Sequence, residues 1–461
     1  MEQDPDSWLQ PVIETIRECS AKLPEYEVQA IALSGHMSSP VFLDADCRPV
    51  FNCMTVGDAR CEAEAEALSH RYEAEFRQNS GNKPMACFVA AKILWFQKHR
   101  PELYAKTAHM VMAKDYIRYL LTGRLNTDPT DAGNILLYDY AASAWNEELI
   151  ELLGIRRELF PPVVDSMAQT GFVTEEMAER CGLGRHVAVF CGGADMACSH
   201  IGTASFEKNI LAITLSTSGQ VCATVDRIGE EAYGKVTIHP GIMPRNRYAM
   251  GSVFSGGLAL NWYYEFLNAR SELSDEDYTR MLQMSEASDR YMPCRSGILF
   301  LPFLSGSGSP YFRPSDRAAF AGISTATDRE AMFAAVIEGV CFHILENIEV
   351  FTRMGCRFEK VHLSGGGSRN IEWIQVLSDV TGLSIDVLTC PDASATGAAL
   401  IALAGSTGGN LYEIAAGTLQ VAYTVRPRAE RTARYRRLFP LYKKLYSAVS
   451  DLEAEMQAEK D

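Results

Sequence analysis

Apolar residues recur along this chain with two alternating periods, and the switching between them predicts an α/β protein. A helical stripe of Leu9, Ile13 and Ile16 follows Asp6 and Ser7, either of which suits an N-cap, and the run VQAIALSG, residues 28–35, reads as a strand. PVFLD predicts a second strand. Between residues 85 and 160 the pattern turns helical, with KDYIRYLLTG ending at Gly123 and WNEELIELLG ending at Gly154. HVAVFCGGAD reads as a buried strand that breaks at Gly192 and Gly193, and NILAITLSTSGQVCATVD as a hairpin of two β-branched runs. Further on come a long amphipathic helix, EAMFAAVIEGVCFHILENIEVF, then a strand KVHLSG, a glycine turn, a helix from about Asn370, a strand SIDVLT and an Ala-rich helix. The tail from Arg426 to Asp461 reads as charged helix. A domain boundary is expected between residues 200 and 208.

Length and composition narrow the class. With 461 residues, 47% of them hydrophobic, the chain can bury two or three cores, so two domains are expected. The formal charge of -15 argues against a nucleic-acid partner, because affinity for a phosphate backbone rests on Lys and Arg. The acidic start MEQDPDSW is unlike a secretory signal, and no uninterrupted apolar run is long enough to span a bilayer. The expectation is a cytoplasmic protein without a membrane partner. The 13 cysteines include no Cys-x-x-Cys pair, which favours small buried hydrophobes over a disulfide framework or a metal site.

Four segments carry candidate chemistry. GGGSRN, residues 365–370, lies between a strand and a helix, where it is either a tight turn or a close approach to a nucleotide. It fits neither the Walker nor the Rossmann glycine pattern. Ser216, Thr217, Ser218 and Gly219 offer hydroxyls and amides on a hairpin turn, suited to a phosphate chain or to an ordinary polar turn. The loop LPFLSGSGSPYF is a phosphate nest or a flexible connection. Asp195, at the end of a strand behind two glycines, is placed to take a proton from a sugar hydroxyl, and also to cap the following helix.

In their order and spacing these segments resemble the FGGY carbohydrate kinases, and within them the xylulose-kinase branch. The likeness is carried by EQDPDSW and IALSGHM, GDAR at 57–60, KILWF, KDYIRYLLTGRLNTDPTDA, GGADMACSHIG, LSTSG, GILFLPFLSGSGSPYFRPSDRAAFAGIS, AVIEGVCF, LSGGGSRNIEWIQVLSDVTG and DASATGAALIA. The resemblance implies two ribonuclease-H-like, actin-like ATPase domains with an interdomain cleft: a sugar-binding domain over 1–203 and a nucleotide-binding domain over 204–461, the latter completed by DASATGAALIA. It implies ATP and Mg²⁺, a small-molecule sugar, and a homodimer as an allowed assembly. By motif match Asp195 is the base, while His36, Met37, Ser38 and Asp58 line the sugar. Thr217, Ser218 and Gly219 face the phosphates, and Gly366, Gly367 and Asn370 lie along the adenosine; no residue is assigned to a metal. Three departures stand out. The family's opening G-x-D-x-G-T-T hairpin has no counterpart, and its loss is expected to leave strand edges unpaired. The sugar loop reads Ser34, Gly35, His36, Met37, Ser38, Ser39 where the branch has S-G-Q-M-H-G, and Val56 stands where the family has Trp. The expected activity is phosphorylation of a pentulose such as xylulose or a related ketose or polyol. The alternative is an impaired kinase fold that binds sugar or nucleotide without transfer.

Overall fold

The computed structural model describes residues 1–269, 273–390 and 392–459, and they fold as an α/β chain of two compact units. The first unit takes residues 1–204, 238–248 and 392–419; the second takes the rest. The main division follows Ala204, one residue from the expected boundary, but neither unit is continuous in sequence. DASATGAALIA, assigned by resemblance to the nucleotide domain, is grouped by packing with the first unit. Its helix Ala393–Thr407 crosses the helix Asp195–Gly202, where Gly397 lies against the Cys198 carbonyl with no room for a side chain.

In the first unit the strand Ala30–Gly35 runs parallel to Ala188–Ala194, which pairs antiparallel with Gln169–Phe172. Ala30–Gly35 is the outer strand of this sheet and has one partner among the described residues; all six of its residues are partly exposed. Among the described residues this edge of the sheet is unpaired. A cavity of about 240 Å³ lies along it, lined by Trp8, Val12, Leu33 and Ile117 together with His36 and Lys114. The strand Ala188–Ala194 does not break at its glycines. Pairing passes from Phe190 to Gly193 through an irregularity that sets Cys191 and Gly192 opposite Leu33, and Gly192, at φ +74°, lies where a Cβ would sit 1.9 Å from the Leu33 carbonyl oxygen, a fit open to glycine alone. The first helix, Leu9–Lys22, also starts differently: Asp4, rather than Asp6 or Ser7, is the capping carboxylate, and it caps the short 3₁₀ turn Pro5–Ser7 ahead of it.

The second unit is built on a sheet in the order Arg247–Val253, Gly219–Thr224, Ile210–Leu215, Lys360–Ser364, Ser384–Leu388, Val421–Val425, with Thr237–Pro240 outside Arg247–Val253. The hairpin Ile210–Thr224 is antiparallel, and Lys360–Ser364 runs parallel both to Ile210–Leu215 and to Ser384–Leu388. The pair Lys360–Ser364 and Ser384–Leu388 repeats the parallel pairing of Ala30–Gly35 with Ala188–Ala194. Here, however, the hairpin covers the side that stays open in the first unit. The helix Arg329–Arg353 is long and apolar enough to cross a membrane by length and composition, yet 89% of its apolar window is buried inside the unit. Burial on nearly all faces, rather than an amphipathic stripe, makes it the core helix. The tail is the helix Ala429–Ala458, and its last two residues lie outside the described ones.

Two buried glutamates of the core helix set a pH dependence. Glu338 accepts hydrogen bonds from the Tyr435 hydroxyl at 2.7 Å and the Cys294 amide at 2.8 Å, and Glu346 accepts one from Tyr311. Burial pushes their carboxyls up to about 7 and about 8. The folded state therefore holds protons that the unfolded chain releases above the ordinary glutamate value. Stability falls as pH rises through that window, by about 1.4 kcal/mol per pH unit for each group. Glu338→Gln with Glu346→Gln mimics the protonated acids, so urea unfolding between about pH 5 and about pH 8 is expected to show a flatter profile than the parent. Parallel profiles would refute the assignment.

Candidate functional site

In the first unit the site is assembled where two parallel strands end side by side. Gly35 pairs with Ala194, so the loop that follows one strand lies beside Asp195 at the end of the other. Asp195 is the first residue inside its helix; Ala194 is the cap and makes no side-chain capping bond. The Asp195 carboxylate accepts instead from the backbone amides of Met196, at 2.8 Å, and Met37. Burial raises this carboxyl above the usual range, and the neighbouring His36 imidazole opposes the rise. The group stays partly exposed. His36 is exposed and tied at Nδ1 to the Ser39 hydroxyl at 2.7 Å. The Ser39 hydroxyl also donates to the Met37 carbonyl at 3.2 Å, which ties the loop to itself.

Met37 and Ser38 are buried, and Ser38 adopts a left-handed φ of +58°. Its conformation is held by Lys92, whose buried ammonium donates to the carbonyls of Ser38 at 2.7 Å, Thr55 at 2.7 Å and Met54 at 3.2 Å. This lysine joins the loop to the turn that carries Asp58. The Asp58 side chain is 2% exposed and paired with Arg60 at 2.8 Å and with the Met1 amino group at 2.8 Å. Burial alone would raise its carboxyl, but the hydrogen bonds from Arg60 and Met1 outweigh it and hold it down at about 2.

A fully buried acidic trio, Asp115, Asp128 and Asp131, lies behind Gly35, with oxygens close enough together to hold a cation. The cation already there is the Lys114 ammonium, at 2.6, 2.5 and 3.0 Å from the three carboxylates, and Arg118 adds a contact of 2.8 Å to Asp115.

The second unit gathers its glycine-bearing loops around one hairpin turn. Thr217 is exposed, Ser218 is half-buried and Gly219 is buried at the start of the return strand. The turn closes through the Ser216 amide on the Ser218 carbonyl, at 2.8 Å. Gly365, at φ +91°, brings the second loop against Leu215, where a Cβ would lie 2.3 Å from the carbonyl oxygen. Gly366 is exposed, and Asn370 is buried as a helix cap. Its Oδ1 accepts from the Trp373 amide at 3.0 Å and its Nδ2 donates to Ser285 at 2.8 Å. The loop containing Ser309 is no flexible connection, since the Ser309 carbonyl is held by His343 at 2.6 Å and Asn347 at 3.2 Å.

Models of the FGGY carbohydrate kinase N-terminal and C-terminal domains match residues 1–202 and 212–406. The chain belongs to the FGGY family of carbohydrate kinases. A xylulose kinase of Bacillus subtilis is 29% identical, the match covering 99% of this chain and 91% of the relative. Solved structures of a ligand-bound xylulose kinase and of a gluconate kinase, both from Lactobacillus acidophilus, superpose with a TM-score of 0.90. Each is 22% identical, with 99% of this chain and 91% of the other covered. The fold they share is the two-domain actin-like ATPase fold.

In this FGGY kinase, His36, Met37 and Asp195 come together in one unit, and Thr217, Gly219, Gly366 and Gly367 in the other. Asp58 joins the first group only through the Lys92 bridge. Sequence reasoning missed Lys92, which sits in a helical pattern where lysine reads as solvated. It also missed the pair Gly256–Gly257. The Gly257 amide donates to the Ser216 carbonyl and the Leu258 amide to Thr217, bracing the hairpin turn from a neighbouring helix start. The signal available was a glycine pair between a β-rich run and a helical one.

Proposed function

We propose that this FGGY kinase transfers the γ-phosphoryl group of ATP to a hydroxyl of a pentulose or related ketose, with Asp195 as general base. The observation that carries the reading is the Asp195 carboxylate: half-exposed, raised by burial, and held by the Met37 and Met196 amides beside His36. As the sugar oxygen bonds to phosphorus and the bond to the ADP oxygen breaks, Asp195 takes the hydroxyl proton, so the attacking oxygen need not carry a full positive charge. His36 Nε2 and the buried Met37–Ser38 turn position the acceptor. Thr217, Ser218 and Gly219 present amides and hydroxyls to the phosphates. Gly366 and Gly367 give the adenosine close access to the backbone, and Asn370 fixes the helix start beneath it.

Mg²⁺ bound to the ATP phosphates would neutralise charge on the group in transit. The acidic trio does not suit it, because the Lys114 ammonium already occupies its centre. The named substrates of the relatives above favour a ketose over a polyol. His36 and Ser38, where the xylulose-kinase branch has Gln and His, leave room for another ketose. A second reading is that the chain binds sugar or nucleotide without transfer.

A coupled ADP-release assay with D-xylulose, D-ribulose, D-gluconate and glycerol is expected to give Mg²⁺-dependent turnover that is highest with a ketose. Higher turnover with gluconate or glycerol would overturn the ketose assignment. Saturable binding by calorimetry without ADP release would establish the second reading.

A further inference from the structure

Polar contacts from outside its own sheet fasten the strand that delivers Asp195, among them three at residues 191, 192 and 194. Arg118 donates to the Cys191 carbonyl at 2.9 Å, the Gly192 amide donates to the Ser166 carbonyl at 2.9 Å, and the Ala194 amide donates to Thr130 Oγ1 at 2.8 Å. The third acts on the peptide unit next to Asp195. A rotation there would swing the carboxylate away from the Met37 and Met196 amides, and the cap residue, Ala194, has no polar side chain to resist it. The Thr130 hydroxyl is itself oriented. It donates to Asp128 Oδ1 at 2.5 Å, so its lone pair is left for the Ala194 N–H. Asp128 is fully buried and held by the Thr130 amide at 2.9 Å, the Ser166 hydroxyl at 3.3 Å and the Lys114 ammonium at 2.5 Å. Lys114 also packs on Gly35, where a Cβ would lie 2.4 Å from the lysine Cβ, one residue before His36.

We propose that Thr130, backed by Asp128 and Lys114, is a positioning residue that sets the orientation of the Asp195 carboxylate. The proposal rests on the reading of Asp195 as the base. The buried ion cluster thereby has a function besides stability: one lysine bears on the strand end that carries the sugar loop and, through Asp128 and Thr130, on the strand end that carries the base. Valine keeps the shape of threonine but removes the hydroxyl, which frees the Ala194 peptide without opening a cavity.

The test compares Thr130→Val, Thr130→Ser, Asp195→Asn and the Thr130→Val/Asp195→Asn double variant of the full chain. The acceptor is whichever of D-xylulose, D-ribulose, D-gluconate and glycerol turns over fastest in the parent. Thr130→Val is expected to lower kcat by about tenfold to a hundredfold, the scale of a misplaced catalytic group, with the acceptor KM within about threefold. Thr130→Ser restores kcat to within about threefold, and in the Asp195→Asn background Thr130→Val costs nothing further, because it acts only through the carboxylate. An equal loss in both backgrounds, or an unchanged kcat in Thr130→Val, overturns the proposal. Unchanged turnover in Asp195→Asn alone overturns the base reading instead. A readout independent of turnover is the ¹³C titration of the Asp195 carboxyl, assigned by its loss in Asp195→Asn. Its midpoint is expected to rise in Thr130→Val, as the carboxylate loses the two amide donors, and to hold in Thr130→Ser, and an unmoved midpoint in Thr130→Val also overturns the proposal.

Discussion

Asp195→Asn is expected to lower sugar-dependent ADP release by about a hundredfold to ten-thousandfold, the usual contribution of a positioned general base. Asparagine keeps the shape of the side chain and can still accept from the Met37 and Met196 amides, so the acceptor KM should change little. The loss should fall on kcat. The parent carries a second signature. Because burial raises the Asp195 carboxyl above the ordinary carboxylate range, it remains protonated, and useless as a base, to a higher pH than a surface aspartate would. The acid limb of the kcat profile should therefore lie above the usual aspartate value, with the rate falling as pH drops through it, and the limb should vanish in Asp195→Asn. Steady-state kinetics across pH checks both. A loss smaller than about tenfold would move the base role to another group.

Lys114→Met is expected to cost about 3–5 kcal/mol of folding stability, the price of leaving a buried ionic cluster without one of its partners. Asp115, Asp128 and Asp131 would then face one another with only Arg118 nearby, all four buried at 1% exposure or less. The sign of the pH dependence distinguishes this from simple loss of packing. In the parent, burial works to raise Asp115, but Lys114 and Arg118 outweigh it and hold it below the ordinary aspartate value, so its contribution is present above the unfolded value and lost as pH falls through the folded one, while burial already pushes Asp131 up against Lys114, in the opposite sense. In Lys114→Met the uncompensated carboxyls rise, the folded state takes up protons, and stability should increase as pH is lowered toward the ordinary aspartate value. Urea unfolding at several pH values measures both. A cost below about 1 kcal/mol would show that the acids had relaxed by protonation at little expense.

These two residues also mark how far the sequence could be read. Asp195 was legible because its surroundings are local: an apolar β-branched run, two glycines and a carboxylate announce a strand end in any α/β chain. The hairpin at 210–224 was legible for the same reason, two apolar runs around a short polar turn. Lys114 and Lys92 were not. Each lies in a helical run where a lysine is ordinarily solvated, and what makes them functional is the set of carboxylates or carbonyls brought to them by segments far away in the chain. Asn370, which the resemblance sets along the adenosine, is also a helix cap satisfied at both ends of its amide, a role that no local pattern announced. Gly192 and Gly193 read as a strand break, since glycine usually ends a ladder, whereas the nearness of the Leu33 carbonyl is what demands glycine there.

By itself, then, the sequence determined the α/β class, the order of strands and helices and the family, and pointed to the carboxylate proposed as the base, because each is written in residues close together in the chain. Tertiary structure alone decided three things. It set the first sheet's open edge at Ala30–Gly35, since an edge is defined by which strands do not pair. It returned residues 392–419 to the first unit, through a helix crossing that only glycine permits. It also buried Lys114 among three aspartates beneath Asp195, where the cluster takes its charge balance and its reach from contacts that no local pattern encodes.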